Sequence, residues 1–383
     1  MVSRTLEEYA SSSERWRDLV RDPAGAQEEV LDGLMKVYAR TDYGKAHGAD
    51  RVGSIEDFRE KFPVVTYQRL EPIFDEIKRG DFGLLLTGSP IWWALTSGTR
   101  GPPKLIPLTA DDIADRIEGA GRTLRNFIER TGQTDLLDGY DLSFYWPSSV
   151  VRVHTGESEV PCGYISGVYV RKLCEPLGIR MTVSPEELEG LGLPVTRADW
   201  AKVFRLSYEK AKDKNVTMYI GAPPPLYFFA LQLKGQGVPL PRDIWDIKGL
   251  FLSGVASIHE HYSADLRKFY GNNTRVVEMY GASEGNFGAQ IDDFPAFAPF
   301  YDLYLLEVAV GREVKMLHEL RDGEWGELIV SSKTLPRYNI KDIVQRVDRD
   351  HFRVPGRATA DNSIELAMES SASRLLEALL DLF

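Results

Sequence analysis

From Ala201 to Gly281 the sequence switches three times between a helical stretch and a short apolar one. "AKVFRLSYEKAKDK" is followed by "VTMYIGAP", "PLYFFALQLKGQG" by "IKGLFLSG", and "SIHEHYSADLRKFYG" by "TRVVEMYG". Short apolar runs separated by helices of about 10–15 residues predict strands joined by crossover helices, hence an α/β fold with a doubly wound, mostly parallel sheet. Such sheets bind ligands beyond the carboxyl ends of their strands. That rule singles out "GAPPP" (Gly221–Pro225), "SGVAS" (Ser253–Ser257) and "YGASEG" (Tyr280–Gly285).

The flanking sequence has other rhythms. Val30, Leu31, Leu34 and Val37 mark one helical face. "SIEDFREKFPVVTYQRLEPIFDEIKRG" predicts two helices broken at Pro63, with Ser54 and Thr66 as N-caps. "GLLLTGSPIWWALTSGT" reads as two short strands around a Gly-Ser-Pro turn. Thr109 is placed to cap a helix running to Gly132, with Asp111 and Asp112 in its first turn. Beyond Phe287, short strands joined by turns such as "RDGEWG" predict a smaller, mostly antiparallel unit. "SIELAMESSASRLLEALLDLF" reads as an amphipathic helix.

Charge narrows the function. The 46 basic residues against 57 acidic ones leave a net charge of −11, the wrong sign for broad nucleic-acid or anionic-membrane binding. A small anionic ligand is still allowed, because a local basic site can sit on an acidic protein. Cys162 and Cys174 give neither a disulfide framework nor metal-ligand spacing. The charged N-terminus is unlike a signal peptide, and no apolar run reaches the roughly 18 residues of a membrane span. A cytoplasmic protein is expected.

The stretch "TSGTRGPPK" (Thr96–Lys104) gathers hydroxyls, glycines and a lysine. Its glycines free the backbone to form an anion nest, Thr96, Ser97 and Thr99 add donors, and Lys104 adds a mobile charge, a set suited to polyphosphate. The competing reading is an ordinary chain-reversing turn. In "EMYGASEG", Tyr280 could lie against a planar ligand, and Glu284 could hold Mg²⁺ beside phosphate oxygens. The alternative there is a capping Ser283 and a surface glutamate. Asp342, downstream of Arg337 and Tyr338, could accept bonds from a ribose diol or be a plain turn residue.

In this order and spacing, "TSGTRGPPK", "YGASEG" and Tyr338-x-x-x-Asp342 resemble the adenylate-forming superfamily of acyl-CoA synthetases, luciferases and adenylation domains. "FPVVTYQRLEPIFDEIKRGDFG" upstream is closer still to the auxin-type acyl-acid amido synthetases. The resemblance spans about Phe58 to Arg357. It implies an adenylate-forming core over residues 1–352, with a β-rich subdomain at about 288–352, then a hinge remnant and C-terminal helix over 353–383. It implies that Thr96, Ser97, Gly98, Thr99 and Lys104 form the phosphate loop. Gly254, Val255 and Ala256 lie against adenine; Tyr280 stacks on it within the turn Gly281, Ala282 and Ser283. Glu284 holds Mg²⁺, Asp342 the ribose, and Arg357 ribose or phosphate. The implied reaction uses ATP to turn a small carboxylic acid into an acyl-adenylate, releasing pyrophosphate, with the acyl group passed to an amine, CoA or carrier-protein thiol. Phe144, Trp146, Pro223, Pro224 and Tyr227 are candidate walls for the acid.

The pattern departs from the family after Arg357. Only Ala358–Phe383 follow, where a lid domain carrying a lysine is expected, and Lys341 is the last lysine. A second reading is therefore a non-catalytic binder of nucleotide or acyl-adenylate. Self-association as a homodimer, or docking onto the core, would cover the apolar face of "LLEALLDLF".

Overall fold

The computed structural model describes residues 6–96, 104–174, 176–358 and 364–366, arranged around three sheets. The largest has seven strands in the spatial order Ala298–Pro299, Gly285–Ala289, Arg275–Ala282, Gly249–Leu252, Val216–Gly221, Tyr140–Asp141 and Arg180–Met181. Pairing is parallel from Arg275–Ala282 through to Arg180–Met181. Helices Arg197–Ala211 and Pro223–Gly235 make the expected crossovers. The third crossover is split at Tyr262 into Ile258–His261 and Ser263–Tyr270, after Ser257 adopts a left-handed φ of 53°. Arg275–Ala282 then folds back on Gly285–Ala289 as an antiparallel hairpin.

A four-stranded sheet carries Leu105–Leu108, Trp92–Leu95, Ser158–Tyr164 and Val151–Thr155 in that order. Here the expected pair of strands around Gly88-Ser89-Pro90 reduces to one, Trp92–Leu95. Leu85 and Leu86 are buried, but their N–H groups bond back to Phe82 O, so a local turn satisfies the backbone and no ladder is needed.

The third sheet has six antiparallel strands: Glu313–Met316, Leu305–Val310, Trp325–Ser331, Tyr338–Arg346, Phe352–Ala358 and Ile364–Leu366. It runs past the expected subdomain boundary at 352. The stretch taken for the start of a hinge is strand Phe352–Ala358, held by pairing in which Asp342 faces Arg357. Ile364–Leu366, expected at the start of a C-terminal helix, is instead extended and pairs with Gly356–Ala358. The remainder of that expected helix lies outside the described residues.

Helix Ala110–Thr131 joins these layers. Thr109 caps it by accepting from Asp112 N at 3.3 Å, and Gly132 ends it at φ 70°. Phe127 packs edge-on against Phe251 of the parallel sheet, centroids 5.1 Å apart. Gly119 lets the helix press on the Gly285–Ala289 strand, since a Cβ there would sit 2.8 Å from the Phe300 ring and 2.9 Å from the Asn286 amide. Ser54 caps Ile55–Lys61 as expected, accepting from Asp57 N.

Candidate functional site

Gly285 stands opposite Ala282 in the hairpin register, so Ser283 and Glu284 form its two-residue tip. The tip is fixed from behind. Arg116, fully buried in helix Ala110–Thr131, donates to Ser283 O at 3.0 Å and Ala282 O at 3.4 Å. Its other donors reach Asp112, at 2.7 and 3.3 Å, and the Tyr169 hydroxyl at 2.8 Å. A planar guanidinium is suited to this, because several donors in one rigid fork can satisfy carbonyls and a carboxylate together. Nothing in the pattern of "ADDIADRIEGAG" singles out Arg116. Its burial follows from a hairpin far away in sequence.

Glu284 is 6% exposed. Burial pushes its carboxyl above the usual carboxylate range, Arg357 opposes that, and Asp342 adds to it. Burial also raises the Tyr338 pKa, and the Glu284 charge adds to it. Asp342 is the second acid of the pair. Tyr280 Oη donates to its Oδ2 at 3.0 Å, and Arg357 Nε meets its Oδ1 at 2.9 Å. Burial raises its pKa too, while Arg357, the Tyr280 bond and Lys104 pull it down.

The backbone carrying these groups is strained. Arg337 (φ 40°) and Lys341 (φ 69°) are non-glycine residues in left-handed conformation, on either side of Tyr338–Ile340. Such angles persist where the surroundings over-determine them. Arg337 grips the fully buried Glu307 at 2.9 and 3.1 Å and the Phe62 carbonyl at 2.6 Å. Lys341 N donates to Asn339 Oδ1 at 2.8 Å.

Lys104 opens strand Leu105–Leu108. Its N–H donates to Thr96 Oγ1 at 2.9 Å and its carbonyl accepts from Thr96 N at 3.0 Å, pairing the two residues directly. Ser97, Gly98 and Thr99 lie outside the described residues. Burial lowers the Lys104 pKa, opposed most by the Glu284 charge, with Arg357 and Asp342 also acting on it. Three segments distant in sequence thus bring Lys104, Tyr280, Glu284, Asp342 and Arg357 to one place.

Gly254, at φ 85°, leaves the sheet just after Leu252, which pairs with Glu278. Gly254, Val255 and Ala256 therefore turn beside Tyr280. The Tyr280 ring is fixed by Phe297 and Phe287, with centroids at 4.8 and 5.3 Å.

Of the candidate walls for the acid, Phe144, Pro223 and Pro224 are buried, while Trp146 and Tyr227 are half-buried. Phe144 is 1% exposed among Phe204, Tyr219 and Phe229, so it is core and has no face to offer a ligand. Tyr227 rests edge-on against Phe269 between two helices. Trp146 is half-buried against Tyr164 and Trp200. Tyr164 pairs in register with Leu95, one residue before the Thr96 loop. Pro223 and Pro224 are buried at the start of their helix.

This fold is similar to those of solved acyl-acid synthetases and ligases. An acyl acid amido synthetase, GH3.15, superposes with a TM-score of 0.67 at 17% identity, over 95% of this chain and 73% of its own. A 2-hydroxyisobutyryl-CoA ligase, solved with 2-HIB-AMP and CoA, gives 0.60 at 17% identity, over 89% and 77%. In sequence, residues 12–191 match the GH3 family N-terminal domain. The indole-3-acetic acid-amido synthetase GH3.2 of Arabidopsis thaliana is 34% identical over 119 residues, 30% of this chain and 22% of its own. The jasmonoyl–L-amino acid synthetase JAR6 of Nicotiana attenuata is 30% identical over 145 residues, 37% of this chain and 24% of its own. The matched stretch thus spans about a quarter of these curated relatives' length.

Proposed function

We propose that this chain activates a small carboxylic acid with ATP, forming an acyl-adenylate and releasing pyrophosphate, and that the acyl group then passes to an amine or thiol acceptor. The observation that carries the reading is the convergence of Lys104, Glu284, Asp342 and Arg357 on one site from separate segments. The two sequence relatives are named as an indole-3-acetic acid-amido synthetase and a jasmonoyl–L-amino acid synthetase, which supports an amine as the acceptor.

The chemistry needs little more than these groups. A substrate carboxylate is already ionised near neutral pH, so no general base is required. Its oxygen attacks the α-phosphorus, and the bond to the pyrophosphate oxygen breaks. Lys104 and the Thr96 loop hold the phosphates and offset the charge spreading over phosphorus. Asp342 orients the ribose, with Tyr280 and the Gly254 turn beside the base. Glu284 could serve as a Mg²⁺ ligand because it presents a carboxylate at the hairpin tip, and a hard cation takes oxygen ligands. Among the described residues no group of three His, Cys, Asp or Glu side chains could hold a metal ion, so phosphate oxygens and water would complete its shell. When bound, the ion would neutralise phosphate charge. No described helix is long and apolar enough to cross a membrane. A cytoplasmic location fits the net charge and the unpaired thiols.

The test is to incubate the protein with Mg²⁺·ATP and pooled carboxylic acids and analyse the mixture by mass spectrometry. An acyl-AMP in the wild type that is missing from Lys104→Ala supports the reading. Tight ATP binding with no adenylate from any acid would favour the non-catalytic binder.

A further inference from the structure

Lys104 carries its ammonium on a flexible four-carbon stem just before strand Leu105–Leu108, and such a side chain needs something to limit where the ammonium points. Tyr67, the first residue of helix Tyr67–Arg79, supplies it from outside the phosphate motif. The Lys104 Nζ stands over the Tyr67 ring, 5.4 Å from its centroid, within the range at which a cation is drawn to an aromatic face. The same side chain accepts a hydrogen bond from Leu105 N at 3.2 Å through its hydroxyl, which fixes the backbone from which Lys104 projects. The ring is 9% exposed and rests against Phe74, centroids 5.9 Å apart.

The segment leading into Tyr67 is tied to the acidic side of the site. Val65 N donates to Arg337 O at 2.9 Å, and Asn339 N donates to Val65 O at 2.8 Å, forming a bridge beside Tyr338. Residues 62–67 therefore join the strand bearing Asp342 to the strand bearing Lys104. We infer that Tyr67 is a positioning residue for Lys104, its ring holding the ammonium and its hydroxyl the adjoining backbone, so that the cation faces the nucleotide phosphates. This rests on the phosphate role proposed above for Lys104. The charged groups acting on Lys104 are Glu284, Arg357 and Asp342, while Glu71, Asp75 and Lys78 act on Tyr67. Burial is the largest influence on Lys104 and lowers its pKa.

The experiment is calorimetric binding of Mg²⁺·ATP from pH 7 to 10.5, with the fold of each variant checked by circular dichroism. Tyr67→Leu is expected to weaken ATP binding about tenfold at pH 7.5. It should also move the alkaline loss of binding to lower pH, because the ammonium loses the aromatic face that favours its charged form while leucine keeps the site apolar. Tyr67→Phe should weaken binding about threefold and leave the alkaline limb in place. A folded Tyr67→Leu with wild-type affinity and an unmoved limb overturns the assignment. If Tyr67→Leu does not fold, Tyr67→Phe decides: weaker binding with the limb in place supports the role, and wild-type binding overturns it. Lys104→Ala separates the two claims. If it binds ATP like the wild type, the phosphate role itself fails; if it binds weakly while both Tyr67 variants bind normally, only the Tyr67 assignment fails.

Discussion

Tyr280 donates its phenolic hydrogen to Asp342 Oδ2 at 3.0 Å, across 62 positions of sequence. The same carboxylate pairs with Arg357 on the neighbouring strand at 2.9 Å. One acid thus ties the hairpin of the parallel sheet to the antiparallel sheet. Asp342→Asn keeps the shape and removes the charge. It is expected to weaken ATP binding about tenfold, with the apparent KM for the acid little changed. Calorimetry with ATP checks this, and unchanged affinity would contradict the ribose role.

Burial raises the pKa of both Glu284 and Asp342, and Arg357 is the strongest influence lowering each. In the proposed reaction both carboxylates are needed ionised, so activity should fall as pH drops through these raised values. The acidic limb is therefore expected above the ordinary glutamate value of 4.5. Arg357→Ala removes the opposing charge and should move that limb higher still. A pH–rate profile of acyl-adenylate formation measures the shift.

Arg116 and Asp112 form a buried pair that also satisfies the hairpin carbonyls. Arg116→Met leaves Asp112 without its cation and Ser283 O without this donor. A loss of about 3–5 kcal/mol in denaturant stability is expected. Asp112→Asn should cost less, because Arg116 keeps its carbonyl and Tyr169 partners. Urea unfolding of the two variants ranks them.

Glu278 lies two residues before Tyr280, and burial pushes its carboxyl up to about 8. Its native pKa lies above the unfolded value of 4.5, so the native state holds the extra proton between the two. Stability is therefore retained at low pH and lost as pH rises from about 4.5 to about 8. Asp141, raised to about 7, acts in the same direction. Glu278→Gln should remove of order 2–4 kcal/mol of this slope, raising stability at pH 8 and changing little at pH 5. Chemical denaturation at the two pH values decides it.

Cys162 and Cys174 are buried, and burial pushes the Cys162 thiol up to about 11 and raises the Cys174 thiol well above its ordinary value. Neither should react with iodoacetamide in the native protein at pH 7.5, and both should react in guanidinium.

The sequence revealed what depends on local pattern. Period and turn chemistry were enough for the crossover helices, the Thr109 and Ser54 caps and the parallel strands from Val216 to Ala282. The motifs that carry the site sit at strand ends and turns, so their order could be read directly. Features set by distant packing could not be read. Arg116 looks like one more polar helix residue until the hairpin places two carbonyls over it. Tyr140–Asp141 and Arg180–Met181 are too short to leave a period. Phe144 has the residue type of a pocket wall, and only the rings around it show that it is packed as core. Tyr67 passed as a helix residue because its link to Lys104 crosses from one element to another.

The central claim is that these converging groups drive attack of a carboxylate on the α-phosphorus of ATP. The most direct measurement is isotope exchange between pyrophosphate and ATP over a panel of carboxylic acids, for the wild type and for Glu284→Ala. The expected result is exchange that requires one class of acid and falls by about 100-fold or more in the variant. Exchange that no acid stimulates, or that survives intact in Glu284→Ala, would contradict the account.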